Sequence, residues 1–169
     1  MILNNYKNWL AFISSNVFVG NNQVYEIGVK DLTGASATLY TQISSSSSST
    51  PNYSLKNGLS ARVGTGTTEP TLADVCLETD VTSSITNLNV TSSTQASSGV
   101  ISTIITITGL NATASSITLS EIGITKQMAT GYNAGMQYKT VMLIRSLLDN
   151  PLTVPAGEGF TLTFKWDEQ

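Results

Sequence analysis

Apolar and hydroxyl residues alternate with a period of two through most of this chain, and that alternation is what most limits how it can fold. It is clearest at the end, where Phe160-Thr161-Leu162-Thr163-Phe164-Lys165-Trp166 puts four large apolar side chains on one face and polar ones on the other. A half-buried antiparallel strand reads this way. Val24 to Lys30 alternates too, with Tyr25, Ile27 and Val29 together, and so does Ala37-Leu39-Thr41-Ile43. Leu59 to Val63 reads as a short strand, and Ile101, Thr103, Ile105 and Ile107 share a face of 100–108. Thr140 to Leu148 is apolar on both faces, as in a strand covered on both sides, with a helix as the competitor. Asp149-Asn150-Pro151 is expected to end it, and 126–138 reads as a long polar loop.

Turn chemistry separates these runs. Asp31-Leu32-Thr33-Gly34, Asn57-Gly58, Gly109-Leu110-Asn111 and Pro155-Ala156-Gly157-Glu158-Gly159 are all turn-formers. Between Ile117-Leu119 and Ile122-Ile124 the inward parity slips by one, which predicts a β-bulge with one extra residue near Ser120-Glu121. Eight to ten short strands without β-α alternation predict an all-β fold, an antiparallel β-sandwich or jelly roll.

The one helical pattern is Tyr6, Trp9, Leu10 and Ile13, spaced i, i+3, i+4, i+7 within 4–14 behind the cap candidates Asn4 and Asn5. So short a helix must dock on something: on its own domain, or as an arm on a neighbouring subunit, with those four side chains as the docking face. The expected organisation is an N-terminal helix or arm over 1–16 and one β-domain over 17–169. Within that domain the serine run of 44–58 cannot bury apolar area and reads as a flexible loop.

Composition removes several function classes. The 169 residues include no histidine and one cysteine, Cys76. That excludes imidazole-based triads and His metal sites, an internal disulfide and multi-Cys zinc sites. Only 11% of residues are charged, with a net charge of −3 and scattered cations, so the basic footprint of a nucleic-acid binder is missing. No apolar run reaches the ~18 residues of a membrane span. The stretch Trp9 to Ile13 is too short and too aromatic for a signal peptide. Roughly a quarter of the chain is Ser or Thr, far above ordinary usage. A surface this neutral is poorly equipped to keep copies apart, which points towards a building block.

Motifs that carry chemistry are few. Gly64-Thr65-Gly66-Thr67-Thr68-Glu69-Pro70 has the glycines of a phosphate loop, but no Gly-Lys-Ser/Thr follows and Pro70 intervenes, so it reads as a shaped turn. Asp74, Glu78 and Asp80 form an acidic group that could act as paired carboxylates or hold a hard cation, with a spacing that fits no calcium loop. Tyr132 and Tyr138 are candidate glycan-contacting aromatics. Asn52-Tyr53-Ser54, Asn89-Val90-Thr91 and Asn111-Ala112-Thr113 fit the glycosylation triplet at the rate chance allows in such a chain. Glu121 and Arg145 interrupt apolar strands. Either would be costly if buried alone, so they are expected to approach one another or to bond the Gly64–Pro70 turn, unless each simply reaches solvent at a strand end.

Residues 59–168 resemble a module of tailed-bacteriophage virion proteins. The resemblance rests on an ordered set: Gly64-Thr65-Gly66-Thr67-Thr68-Glu69-Pro70, Asp74, Leu77-Glu78, Glu121-Ile122-Gly123, Leu143-Ile144-Arg145 and Val154-Pro155-Ala156-Gly157-Glu158-Gly159. It implies a non-enzymatic structural protein of the virion, without cofactors. Its partners would be other virion proteins or copies of itself, with no nucleic acid or membrane partner. The chain has no heptads or long periodic arrays from which to build a fibre shaft, which favours capsid decoration or a minor capsid role. A tail- or fibre-associated receptor- or carbohydrate-binding module is the alternative.

Overall fold

Hairpin formation organises the chain from β1 (Tyr25–Lys30) and β2 (Ser36–Thr41) onward. The two strands pair antiparallel in register from Tyr25↔Thr41 to Lys30↔Ser36. The turn between them is held by Asp31, whose Oδ1 accepts from the Thr33 hydroxyl (2.6 Å) and from the amides of Thr33 and Ala35. This computed structural model describes residues 1, 3–8, 25–41, 58–97, 100–130 and 137–168.

The remaining strands are β3 (Leu59–Gly64), β4 (Ile85–Ser97), β5 (Val100–Asn111), β6 (Ile117–Thr130), β7 (Gln137–Val154) and β8 (Gly159–Glu168). A 3-10 turn, Thr82–Ser84, leads into β4. They form two antiparallel sheets. The larger runs β1-β2-β6-β3, with β7 on the other edge of β6, and the smaller runs β4-β5-β8.

One core lies between them. Val29, Leu39, Val63, Leu119, Ile122, Ile124, Val141 and Leu143 of the larger sheet join Ile85, Ile105, Ile107 and Phe160 of the smaller in a single buried cluster. The all-β class with a short N-terminal helix is therefore what the molecule has. Residues 4–8 are helical, while Trp9, Leu10, Ile13 and the serine run of 44–57 lie outside the described residues.

Four expectations need correction. The described parts of the polar stretch 126–138 are strand, because β6 continues to Thr130 and β7 starts at Gln137, while 131–136 lie outside the described residues. Its polar residues pair with a neighbouring strand, which contributes backbone bonds that polarity does not reveal. Gly109-Leu110-Asn111 is still β5, and the turn follows it. The 18-residue β7 runs on through Asp149-Asn150-Pro151 to Val154. Proline is tolerated there because the ladder is already irregular: β6 moves from Leu119 to Glu121 while its partner moves from Leu152 to Leu147. The irregularity thus falls at Ser120, where the parity slip predicts it and which the ladder skips, but the larger excess is in β7, where 148–151 stand opposite that one residue.

A second irregularity positions the site. Between Ile124 and Thr125 the partner changes from Ile144 to Met142, which leaves Leu143 as the extra residue. A bulge of this kind reverses which face the following residues occupy. Leu143 and Ile144 both reach the main core, and Arg145 is delivered to the opposite face, where Glu121 lies.

Candidate functional site: a polar knot on the outer face of the larger sheet

The outer face of the larger sheet is covered by two pieces of chain: the N-terminal residues and a strap over 65–80. Leu3, Leu77 and Met142 form a small buried cluster of their own beneath this cover, with Leu32 packed against it.

Beside that cluster sits the Glu121 carboxylate, which is fully buried. Its Oε1 accepts from the amides of Gly66 (3.1 Å) and Thr79 (2.8 Å), and its Oε2 from the amide of Glu78 (3.1 Å) and from Arg145 Nε (2.9 Å). Arg145 Nη2 also lies 2.9 Å from Oε2. Such a carboxylate is compensated by charge and by hydrogen bonds together, the condition under which a buried ion pair is tolerated.

Arg145 spends its remaining donors on the strap. Nη1 donates to Asp74 Oδ2 at 2.5 Å, Nη2 donates to the Thr68 carbonyl at 3.1 Å, and Nη2 lies 3.9 Å from Glu78. Glu78 in turn accepts from the amides of Thr67 and Thr68 and from the Thr68 hydroxyl. The result is one connected network with Arg145 at its centre, tying 66–68, 74 and 78–79 to the middle of β6 and β7.

The glycines make this close approach feasible. A Cβ on Gly64 would lie 2.6 Å from both Glu121 Oε1 and the Thr79 carbonyl, and one on Gly66 would collide with the same Oε1 and with Glu78. The loop therefore does present a backbone amide to an anion, as a phosphate loop does, but the anion is the protein's own Glu121.

Charge and burial set the ionisation of the knot. Burial alone pushes Asp74 up, but the Thr71 hydroxyl and amide and the Arg145 guanidinium outweigh it, and the carboxyl ends below its ordinary range. The Thr68 hydroxyl and amide hold Glu78 below its usual value. Burial lowers the Arg145 value, and Asp74 and Glu121 more than restore it, so the guanidinium stays charged.

Of the residues singled out from sequence, Glu121 and Arg145 are brought together, and both bond the Gly64–Pro70 turn as well. The acidic group is divided. Asp74 and Glu78 join the knot, whereas Asp80 pairs with Arg62 and accepts from the Thr82 amide. Among the described residues no three acidic or thiol side chains converge as a metal site. Tyr6 is buried in the main core and so is committed to its own chain, which removes it from a face meant for a partner. Tyr138 is 62% exposed, and Tyr132 lies outside the described residues.

Sequence reading missed the amides of Glu78 and Thr79, which are more than forty residues from Glu121 and are chemically anonymous. It also missed Asn111, noted only as a turn former and triplet residue. Its fully buried side chain donates to the carbonyls of Ser115, Val154 and Pro155 and accepts from the Thr113 amide and hydroxyl. That fixes the Val154–Gly159 hairpin and leaves this triplet's amide no room for a sugar.

A groove of about 340 Å³ runs beside the knot, with Asn4, Asn8, Lys30, Leu72 and Asp74 in its lining. No helix among the described residues is long and apolar enough to cross a membrane. Compared with known proteins, the chain matches no family model, no curated protein and no solved structure.

Proposed function

We propose that this chain is a non-enzymatic structural protein of a tailed-bacteriophage virion, a capsid decoration or minor capsid component that works through contacts with other virion proteins or with its own copies. The observation that carries this reading is what the motif residues do. Gly64, Gly66, Asp74, Glu78, Glu121 and Arg145, which carry much of the resemblance, spend their polar groups on one another. A catalytic carboxylate must reach a reacting proton, yet Glu121 faces only the amides and guanidinium that hold it. The motif set is thus a fastener for a scaffold, which suits a protein whose product is a surface.

Particles released from a host that expresses the gene, banded by density and probed with an antibody to this chain, test the proposal. The chain is expected to band with the particles in a fixed ratio to the shell protein. Recovery solely in the soluble fraction overturns the reading, as does turnover of a metabolite by the purified protein. The exposed Tyr138 ring favours a second reading, a receptor- or glycan-binding module of the tail or a fibre, because amphipathic aromatics suit such contacts. Saturable glycan binding that Tyr138→Ala abolishes would shift the assignment to it.

A further inference from the structure

Every sheet edge exposes a row of backbone donors and acceptors, and native proteins cover such edges or charge them. The larger sheet covers its edges. On β1, Asn5 acts as a surrogate strand: its Oδ1 accepts from the Lys30 amide (2.9 Å) and its Nδ2 donates to the Lys30 carbonyl (2.8 Å). One helical turn on, Asn8 Nδ2 donates to the Gly28 carbonyl (2.8 Å). On β7, the Leu3 amide donates to the Leu143 carbonyl and the Arg145 amide to the Met1 carbonyl. On β3, residues 79–82 do the same: the Val81 amide donates to the Val63 carbonyl and the Val63 amide to Thr82 Oγ1.

The smaller sheet is different. Its β8 edge ends in Lys165, Asp167 and Glu168, charges of the kind that discourage strand addition. Among the described residues its β4 edge has neither device, and the one bulge in its ladder, between Thr86 and Asn89, leaves the stretch from Asn89 onward regular. Among the described residues no backbone bond reaches the outer side of 86–95. All 13 residues of β4, ITNLNVTSSTQAS, are uncharged and none is proline.

We propose that this edge is a self-association surface, on which β4 pairs antiparallel with β4 of a second copy across a two-fold axis. A second copy is the occupant the sequence fits. Two-fold pairing sets a strand against itself, so any charge in it would meet its own kind, and β4 carries none. Threonine and serine opposite their counterparts form favourable cross-strand pairs. Leu88 and Val90, half-buried against the main core, let that core run on across the junction. The result is a continuous six-stranded sheet. The inference holds wherever the protein resides and does not rest on the virion reading.

Sedimentation velocity of the full chain from micromolar to near-millimolar concentration tests it. The wild type is expected to pass from monomer to dimer. Thr91 and Ser93 are exposed, so Thr91→Lys/Ser93→Lys leaves the monomer folded, with an unchanged melting curve, and weakens dimerisation by about tenfold or more. The matching Thr91→Glu/Ser93→Glu protein is expected to be equally impaired, and an equimolar mixture of the two to dimerise again. Thr161→Lys, on the same outward face but on β8, is expected to dimerise as the wild type does. A wild type that stays monomeric throughout, a dimer that survives both double substitutions, or a mixture that fails to recover overturns the proposal.

Discussion

The two sheets use the same alphabet to opposite ends. The larger concentrates the chain's scarce charges on its covered outer face, where Glu121, Arg145, Asp74 and Glu78 fasten the strap. Across its middle, the smaller sheet's outer face is a field of neutral polar groups: Asn89, Thr108 and Thr161 align across β4, β5 and β8, as do Thr91, Thr106 and Thr163. Two of the few charged residues, Glu121 and Arg145, are buried in the knot of the larger sheet, whereas hydroxyls suffice where the smaller sheet's surface only has to be wet. The outer face of one sheet therefore behaves as interior and that of the other as exterior. Substitutions on the two should differ in cost by several-fold.

The largest effect is expected from breaking the knot on one side. Arg145→Met strands the buried Glu121 carboxylate and should lower unfolding free energy by about 3–5 kcal/mol, read from urea titrations at neutral pH. Replacing both as Glu121→Leu/Arg145→Met should cost less than that single change, since no buried charge is left without its partner inside the sheet. A double substitution as damaging as the sum of the singles would break the account.

Next come the glycines, where the sheets differ in why glycine is present. Gly66→Ala meets Glu121 and Glu78 and should cost about 1–3 kcal/mol through overpacking. Gly157→Ala, in the hairpin that leads into β8, has open space around it but a φ of +75°. Its cost should be about 1–2 kcal/mol, from backbone conformation alone. Gly157→Asn should recover part of this, because asparagine tolerates that region, whereas Gly66→Asn should be worse than Gly66→Ala.

Acid should act on the larger sheet first. Asp74, Glu78, Asp31 and Asp80 all titrate below their ordinary values when folded. The unfolded chain therefore binds more protons across the carboxylate range, and stability rises with pH there. It should be full at neutral pH and above the ordinary carboxylate range, and be lost as pH falls through the lowered folded values. Thermal melting scanned from pH 7 to pH 2 should be flat at first and then fall, and Arg145→Met should blunt the fall because Asp74 loses its partner. The smallest effect is expected on the smaller sheet: Thr108→Val and Thr163→Val should each change stability by less than about 0.5 kcal/mol. A larger loss would mean that this face is also covered.

Much of the fold was legible in the residues, for a local reason. Side chains on a strand alternate faces, so Phe160-Leu162-Phe164 and Ile105-Ile107 announce both strand and inner face. β4 was not legible, since Leu88 and Val90 are its only large apolar residues beyond Ile85 and a hydroxyl-rich strand looks like a loop. The candidate site was half legible. Glu121 and Arg145 stand out because a charge inside an apolar strand demands a partner, whereas the amides of Glu78 and Thr79 bear no mark that sequence could show.

The sequence by itself determined the all-β class, the short helical segment, the turns at Asp31–Gly34 and Pro155–Gly159, the location of the β6 irregularity and the need for Glu121 and Arg145 to be compensated. These follow from forces that act within a few residues: alternation, turn preferences and the cost of an unpaired buried charge. Only the tertiary structure decided that the larger excess of residues sits in β7, that Leu143 reverses the strand so that Arg145 faces Glu121, and that the 65–80 strap closes over both. Those outcomes depend on which strand lies beside which, a long-range choice made by the packing of one core between two sheets.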